Sequence, residues 1–375
     1  MVGDRSKLYG ERSARARDLT LLFVLILSLV ACTSHIEQSR VTGELSSCHI
    51  IYDAGSSRTR LYVYQQTAAG WVKHQGPKTG ALADPIREIR GKTMSDAGSV
   101  VGGIVIALED IRREGPPDKQ GLPQWPAFDW QNHCNIETVA VYATAGMRLA
   151  EQQDAAASDL LWKMLNERLT AAVGMKVTTR TLTGYEEGMF AWLAIREGQD
   201  DGDFGVAEMG GASVQITFPC PACPTSRQVK VKGRATPVYS YSHLGWGQDE
   251  AWKNFGPLPA CTPGVGKENP DWEIADCAAG MEISSDTVAE LKKYVDTRHE
   301  LRWYLSGAFR HMRDTDIDYF CRQGLDSGFE PLTSCFRAVY LPRVLSTLGV
   351  PGKAEPTDVD WTLGAVICTS TQCLE

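Results

Sequence analysis

The chain has 375 residues, of which 43% are hydrophobic and 22% are charged, and its formal net charge is -8. This composition is that of a globular protein, and the length suits two lobes better than one. The acidic net charge implies no basic face for nucleic acid, so we expect no nucleic-acid partner. If it acts on phosphates, it needs a divalent cation or backbone N–H groups to hold them.

The N-terminal segment has the pattern of an export signal. Basic residues between Arg5 and Arg17 precede the apolar run Leu19–Ala31, which is short for a membrane span but typical of a signal sequence. The run ends before Cys32 in a pattern that looks like a bacterial lipobox; a plain signal peptide or a signal anchor is the alternative. We expect residues 1–31 to be removed and Cys32 to be lipidated. Residues 32–47 would then tether an exported protein to the bacterial outer membrane, facing the periplasm or the cell surface.

Apolar patterns and turn signals alternate along the rest of the chain. Strands are predicted at His49–Asp53, Leu61–Tyr64, Trp71–His74, Thr138–Tyr142, Lys176–Leu182, Phe204–Glu208 and Val214–Phe218. Helices are predicted within Ser95–Glu114, Ala155–Val173, Thr287–Met312 and Ala338–Leu348. A segment rich in proline and glycine, Gly115–Trp130, is predicted to be a loop.

Ten cysteines follow Cys32. An even number in an exported protein predicts up to five disulfide bonds, whose pairing the sequence leaves open. The spacing of Cys220 and Cys223 also fits a zinc site, but Cys261 and Cys277 do not supply a second pair with that spacing. We therefore favour disulfides over a metal site.

One local unit occurs twice: a strand delivers an acidic residue into a Gly/Ser turn, and a second strand follows. The two copies are Asp53–Ser57 and Glu208–Ser213. Because glycine lacks a Cβ, its backbone can approach an anion closely, and successive N–H groups form an anion site. The carboxylate beside the turn can hold a divalent cation. Two such turns that face each other would clamp a polyphosphate, whereas either one alone is as well explained as an ordinary hairpin turn.

Five segments share a further pattern in chain order: Asp53–Arg60, Ala143–Arg148, Gly184–Trp192, Glu208–Gln215 and Trp361–Ala365. They resemble, in the same order, the five conserved regions of the ecto-nucleoside triphosphate diphosphohydrolase (apyrase) family. Tyr241–Gly247 is also similar to a segment after the fourth region. The resemblance extends from about Cys48 to the C-terminus.

The resemblance implies an α/β fold of the two-lobed, actin-like (ribonuclease H-like) type. Each lobe is expected to contain a mixed five-stranded sheet flanked by helices, with the active site in the cleft between the lobes. By analogy, residues 45–182 and 352–375 form lobe I, and residues 183–351 form lobe II. We also expect the protein to be a monomer.

Hydrolysis of a terminal phosphate needs an aligned water and a base that takes its proton. The resemblance assigns the base to Glu187, in a Gly-x-x-Glu-Gly pattern, with Glu186 as the adjacent alternative. Ser213 and Gln215 are expected to hold the water, because residues two apart on a strand share a face. The Thr144 hydroxyl is expected near the phosphate or the water.

Substrate and cation contacts are also implied. Arg148 is expected to fix its own loop, and Trp361 to pack. Asp53 and Glu208 are expected to hold Mg²⁺ or Ca²⁺ through water. Tyr340 is a candidate for stacking on the nucleobase, with a core tyrosine as the alternative. The phosphate contacts are expected from the turn residues Gly55, Ser56, Ser57, Arg58, Gly210, Gly211 and Ala212.

Two positions depart from the family pattern. Arg58 stands where a glycine is usual, and its guanidinium can either bind phosphate in a bidentate way or obstruct the turn. Glu208 stands where an aspartate is usual, and its extra methylene moves the carboxylate by roughly one bond length, which can alter the cation geometry.

These residues predict a divalent-cation-dependent enzyme. It would hydrolyse nucleoside tri- and diphosphates to monophosphate and phosphate with a water activated by glutamate. One alternative is an exopolyphosphatase or guanosine pentaphosphate phosphatase of the same superfamily, which uses similar hairpins. The other is a nucleotide-binding protein without turnover, impaired by Arg58 or Glu208.

Overall fold

The first sheet of the fold is mixed and has five strands. They are β1 (Ser46–Ala54), β2 (Arg58–Thr67), β3 (Gly70–Gly80), β4 (Cys134–Ala143) and β5 (Val177–Thr181). Their order is β3-β2-β1-β4-β5, with β1 antiparallel to β2 and parallel to β4. The strands predicted for this half of the chain are confirmed, and β3 continues beyond the predicted His74 to Gly80.

The second sheet is also mixed and has six strands instead of the predicted five. They are β6 (Phe204–Met209), β7 (Ser213–Pro219), β8 (Arg227–Val231), β9 (Arg234–Leu244), β10 (Arg302–Gly307) and β11 (Glu355–Pro356). Their order is β11-β10-β6-β7-β9-β8, with β6 antiparallel to β7 and parallel to β10. Without the edge strand β8, the strand order and directions repeat those of the first sheet, which confirms the internal duplication.

These facts come from a computed structural model that describes residues 45–198, 203–281, 283, 288–298, 300–314, 316–323 and 331–374. Ser46–Glu375 is one structural unit. The predicted signal sequence and Cys32 lie outside the described residues. Within the described part of the chain, no helix is both long enough and apolar enough to cross a membrane.

The helices lie on both sides of each sheet. The α-helices of seven residues or more in the described ranges are α1 (Ala97–Asp110), α2 (Ala145–Gln153), α3 (Ala155–Val173), α4 (Gly184–Gly198), α5 (Gln248–Phe255), α6 (Ala289–Val295), α7 (Ser334–Leu348) and α8 (Trp361–Thr371). Helices α1 and α3 share one buried cluster with β1 and β2, and α7 shares another with β7. A third cluster holds α4 and α8 together with residues of both sheets.

The third cluster joins the two sheets through α4 and α8. Ile51 and Tyr62 of the first sheet and Val206 and Tyr304 of the second all pack in it with α4 and α8. The two helices therefore form a layer between the sheets. Gly364 of α8 lets them approach closely, because a Cβ there would collide with the backbone carbonyl of Phe190 in α4.

The predicted helix over Thr287–Met312 is wrong for much of its length. Helix α6 covers only Ala289–Val295, and Arg302–Gly307 is the buried strand β10 beside β6. Trp303, Tyr304 and Leu305 are consecutive and all buried. A strand covered on both faces lacks the apolar/polar alternation that distinguishes a strand from a helix.

The ten cysteines of the described unit form five disulfides, as predicted. The pairs are Cys48–Cys134, Cys220–Cys223, Cys261–Cys277, Cys321–Cys335 and Cys368–Cys373. The zinc alternative for Cys220 and Cys223 is excluded in this state, because their sulfurs are bonded to each other.

Candidate active site

The two Gly/Ser turns have the same geometry. In the β1–β2 turn, the Gly55 N–H donates to the Arg58 carbonyl over 3.1 Å, and in the β6–β7 turn the Gly210 N–H donates to the Ser213 carbonyl over 3.0 Å. The acidic residues before the turns also correspond. Asp53 lies opposite Arg60, and Glu208 lies opposite Gln215.

The two turns face each other across one cavity. A Cβ on Gly211 would collide with the Ser56 hydroxyl and with the Asp249 carboxylate, so the second turn lies close to the first. The cavity has a volume of about 290 Å³, near the lower end of the range for small-ligand sites. Both turns line it, with Asp53, Glu187 and Glu208.

Glu187 reaches the cavity from the first turn of α4, where the helix dipole favours a negative charge. Its side chain is buried. The Arg148 Nη2 donates to its Oε2 over 2.7 Å, and the Gln215 Nε2 donates to the same oxygen over 3.1 Å. Helix α4 packs closely on β9 because Gly184 and Gly188 have no side chains. A Cβ on Gly184 would collide with Ser242, and one on Gly188 would collide with Ser240.

Glu186 has a different role. It forms an ion pair with Arg180, and its Oε2 accepts hydrogen bonds from the backbone N–H and the hydroxyl of Thr183. The Thr183 hydroxyl in turn accepts the Glu186 N–H, which completes a capping box at the start of α4. The structure thus places Glu187, and not Glu186, in the lining of the cavity.

Ser213 and Gln215 form a buried polar network with Glu187. The Gln215 Nε2 donates to the Ser213 Oγ over 2.7 Å and to the Ser242 Oγ over 3.1 Å, and the Arg148 Nη2 donates to the Ser213 Oγ over 3.0 Å. The Gln215 Oε1 has no hydrogen-bond partner among the described residues, although it is buried. A buried acceptor without a partner is costly in a folded protein and points to a ligand.

The carboxylates around the cavity repel one another. Burial is the main factor that raises the pKa of Glu208 well above its usual value, and the charges of Glu187 and Asp53 raise it further. Burial also raises the pKa of Glu187, while the Arg148 guanidinium opposes this change. For Asp53, burial raises the pKa and the ion pair with Arg60 lowers it.

This excess of buried negative charge suits a divalent cation. The Glu208 Oε2 is buried without a hydrogen-bond partner among the described residues, which leaves an oxygen donor available. Carboxylate oxygens are the ligands that Mg²⁺ and Ca²⁺ prefer. No group of three His, Cys, Asp or Glu side chains in the described ranges is placed to hold an ion directly. Asp53 and Glu208 are the carboxylates of the cavity that could hold such an ion, with water supplying the other ligands.

Of the other predicted site residues, Thr144 lines the cavity, whereas Arg58 and Tyr340 do not. Thr144 is buried, lines the cavity and precedes α2, which begins beside the first turn. Arg58 is exposed at the start of β2 and is outside the cavity lining. Tyr340 lies in the core, stacked on Phe336, and its hydroxyl donates to the Trp246 carbonyl. That position offers no face for a nucleobase, so Tyr340 fits its core alternative.

Several residues in or beside the cavity were not assigned to the site from the sequence. Arg148 was assigned only to its loop, yet it contacts both Glu187 and Ser213. Asp360 caps the start of α8 by accepting the Thr362 N–H, and its position just before the Trp361–Ala365 segment was the available signal. Arg60 lies at the end of the Asp53–Arg60 segment but was given no role. Other lining residues had no motif of their own, among them Tyr62, Arg310, His311 and Asp358.

Comparison with known proteins finds a family match in the part of the chain that contains Glu187 and the second turn. Residues 130–256 match the model of the GDA1/CD39 (nucleoside phosphatase) family. Ectonucleoside triphosphate diphosphohydrolase 8 of Rattus norvegicus is 28% identical over 249 residues, which cover 61% of this chain and 46% of the relative. Ectonucleoside triphosphate diphosphohydrolase 1 of Mus musculus is 25% identical over 288 residues, which cover 68% and 53%. The chain thus spans about half the length of these curated relatives.

Among solved structures, an exopolyphosphatase from Cytophaga hutchinsonii is similar with a TM-score of 0.53. The two chains are 10% identical, and the match covers 87% of this chain and 99% of the other. At this identity the similarity concerns the fold alone. Together with the two repeated mixed sheets, it confirms the predicted actin-like fold.

Proposed function

We propose that this chain is a nucleoside phosphatase related to the ectonucleoside triphosphate diphosphohydrolases, which removes the terminal phosphate of nucleoside tri- and diphosphates. One observation carries the proposal. Two Gly/Ser turns, one from each sheet, face each other across a cavity that also contains a buried glutamate bonded to Arg148 and Gln215. The family match over residues 130–256 and the curated relatives support it.

The turns would bind the phosphate chain through their backbone. The N–H groups of Ser56, Ser57, Gly211 and Ala212 make no backbone hydrogen bond within the described residues, whereas those of Gly55 and Gly210 close the turns. Successive N–H groups of this kind form an anion site. A phosphate chain held between them would place its terminal phosphorus near Glu187.

Glu187 would act as the general base. Its carboxylate takes a proton from a water, the water oxygen bonds to the terminal phosphorus, and the bond from that phosphorus to the bridging oxygen breaks. The Ser213 Oγ and the Gln215 Oε1 would position the water. Burial raises the pKa of Glu187 toward neutral pH, while Arg148 favours its ionised form.

Asp53 and Glu208 would hold a divalent cation through water. When bound, the cation offsets charge on the phosphate oxygens. It would also relieve the repulsion among the buried carboxylates. The extra methylene of Glu208 is compatible with this role, because water-mediated contacts tolerate a small displacement of the carboxylate.

We further propose that the protein is exported and anchored through Cys32. The five disulfides support export, since such bonds form in oxidising compartments and are rare in the cytosol. The lipobox-like pattern before Cys32 supports the anchor. Mass spectrometry of the native protein would show cleavage before Cys32 and added acyl chains; an unprocessed N-terminus would contradict both.

The activity is tested by measuring phosphate release from ATP, ADP, GTP and long-chain polyphosphate, with Mg²⁺ or Ca²⁺ and with EDTA. We expect release from nucleoside tri- and diphosphates with either cation and none with EDTA. Release from polyphosphate alone would instead favour the exopolyphosphatase alternative. Nucleotide-induced thermal stabilisation without any release would favour a binding protein without turnover.

A further inference from the structure

Four basic side chains converge beside the cavity, at the outer end of the first turn. Arg58 and Arg60 are two residues apart on β2 and therefore share a face of the strand. Lys78 lies directly opposite Arg60 on β3. Arg310, which follows β10, lines the cavity together with Arg60. We call these four residues the basic strip.

The strip is electrostatically unfavourable without a partner. Like charges directly opposite on neighbouring strands destabilise a sheet. Although Lys78 is exposed, neighbouring groups partly desolvate its ammonium and lower its pKa, and the charges of Arg60, Arg58 and Arg310 lower it further. This accumulation of positive charge occurs in a chain whose net charge is -8.

Only two of the four residues of the basic strip form ion pairs with nearby carboxylates among the described residues. Arg60 pairs with Asp53 over 2.9 Å, and Arg310 pairs with Asp358 over 3.1 Å. Asp360, which also lines the cavity, pairs with Lys73 outside the strip. The described residues provide neither Arg58 nor Lys78 with a carboxylate partner. Both side chains are exposed, so an anion can reach them.

The position of the strip indicates what the anion is. The turns hold the terminal phosphates, and the strip begins where the first turn continues into β2. A phosphate chain that leaves the cavity on this side would meet Arg60 and Arg310, which line the cavity, before Lys78 and Arg58, which do not. Guanidinium groups bind phosphate oxygens with charge-assisted, bidentate hydrogen bonds.

We propose that the basic strip binds the part of a linear phosphoanhydride chain that extends beyond the two phosphates held by the turns. This inference rests on the proposed function and specifies its substrate class: chains of three or more phosphates, on a nucleoside or inorganic, bind more tightly than chains of two. Arg58, which replaces the small residue of the family pattern, then contributes to binding instead of obstructing the turn.

Calorimetric titration tests the proposal without depending on turnover. The Glu187→Gln variant, in a fixed Mg²⁺ concentration, is titrated with inorganic pyrophosphate, tripolyphosphate and a longer linear polyphosphate. We expect affinity to rise with chain length. Adding Lys78→Gln or Arg58→Gln should each reduce the affinity for the longer chains about fivefold, the effect of losing one solvent-exposed charge contact. Pyrophosphate affinity should change less.

Lys163→Gln is the matched control, because it removes one exposed lysine on α3 that is not part of the basic strip. It should leave the chain-length preference intact, and added salt should weaken the preference in the parent variant. Equal affinity for short and long chains would overturn the inference, as would a preference that Lys78→Gln and Arg58→Gln do not reduce.

The two proposals fail in different ways. If wild-type protein releases phosphate from ATP and ADP but shows no chain-length preference in binding, the basic strip has no role and the proposed function stands. If chain-length-dependent binding is found but no phosphate is released from nucleotides, the proposed function fails and the binding site stands.

Discussion

Arg148 is the residue that most directly controls the candidate base. Its Nη2 bridges the Glu187 carboxylate and the Ser213 hydroxyl, and its Nε and Nη1 are buried without partners among the described residues. A buried guanidinium in this position costs desolvation energy. We infer that it is a positioning residue, which fixes Glu187 beside Ser213 and keeps it ionised.

Arg148→Gln should therefore impair turnover in a pH-dependent way. Burial raises the pKa of Glu187 and Arg148 lowers it, so removing the guanidinium raises that pKa further. Because the base must be ionised, the acid limb of the kcat/KM profile should move to higher pH. At neutral pH, kcat should fall roughly tenfold or more. The measurement is phosphate release across the pH range.

Arg148→Lys provides the matched control. It retains the charge but not the forked geometry, so kcat should fall while the acid limb stays near that of the wild type. An acid limb that does not move in Arg148→Gln would show that Arg148 does not set the ionisation of the base.

Glu208 is a source of instability when no cation is bound. Its pKa in the folded protein is raised, chiefly by burial and then by Glu187 and Asp53. Such a group stabilises the fold below the usual glutamate pKa, and this contribution is lost as the pH rises through the folded-state pKa. The buried site is thus least stable at neutral pH and above, which is where a cation would bind most favourably.

Glu208→Gln should then raise the melting temperature in EDTA at neutral pH, on the order of 2 °C. The difference from the wild type should shrink as the pH falls toward the usual glutamate pKa, because the wild-type carboxyl becomes neutral. Added Mg²⁺ should stabilise the wild type more than the variant. Calorimetry at several pH values checks this, and a variant that is less stable than the wild type in EDTA at neutral pH would contradict it.

At the scale of elements, the layer of α4 and α8 aligns the two turns. Helix α4 carries Glu187 and packs against strands of the second sheet, while α8 is continuous with Asp360 and Trp361 at the cavity. The helices meet at Gly364, where the α4 backbone leaves no room for a side chain. The position of the base thus depends on a contact far along the sequence.

Gly364→Ala should separate the two helices. Overpacking of this kind costs about 1–3 kcal/mol of unfolding free energy, and the displaced base should lower kcat. Gly102→Ala is the matched control, since a Cβ on that α1 glycine meets nothing. It should leave kcat unchanged and stabilise the helix by up to about 1 kcal/mol. Urea unfolding and phosphate release measure both effects, and a Gly364→Ala protein as stable as the wild type would contradict the account.

Elements with an apolar period were predictable from the sequence. The predicted helix Ala155–Val173 has the bounds of α3, because the N-cap Asp154 and the terminal Gly174 mark its ends. The strands β1, β2, β6 and β7, which flank the two turns, were also predicted. An acidic residue and a Gly/Ser turn mark the end of β1 and the end of β6. By contrast, β10 was mistaken for helix, because its aromatic residues are buried on both faces, and β8 and β9 fell in a Cys/Pro/Gly-rich region without a clear period.

For the whole molecule, two copies of one sheet topology supply opposite walls of the site. The copies carry different residues at equivalent positions: Asp53 lies opposite Arg60 in the first, and Glu208 lies opposite Gln215 in the second. The turns could be located from the sequence because each has a local signal. Arg310 and Asp358 could not, because they come to the cavity only through tertiary packing and have no spacing that marks them.

The central claim is that Glu187 deprotonates a water while the two turns hold the phosphate chain. The measurement that tests it most directly compares ATP turnover and ATP affinity in Glu187→Gln and Glu186→Gln, with the cation held constant. Glu186→Gln is the adjacent control, and glutamine can still cap α4. The account predicts that Glu187→Gln loses roughly 10²–10⁴-fold in kcat and still binds ATP, while Glu186→Gln turns over like the wild type. Wild-type turnover in Glu187→Gln would contradict it.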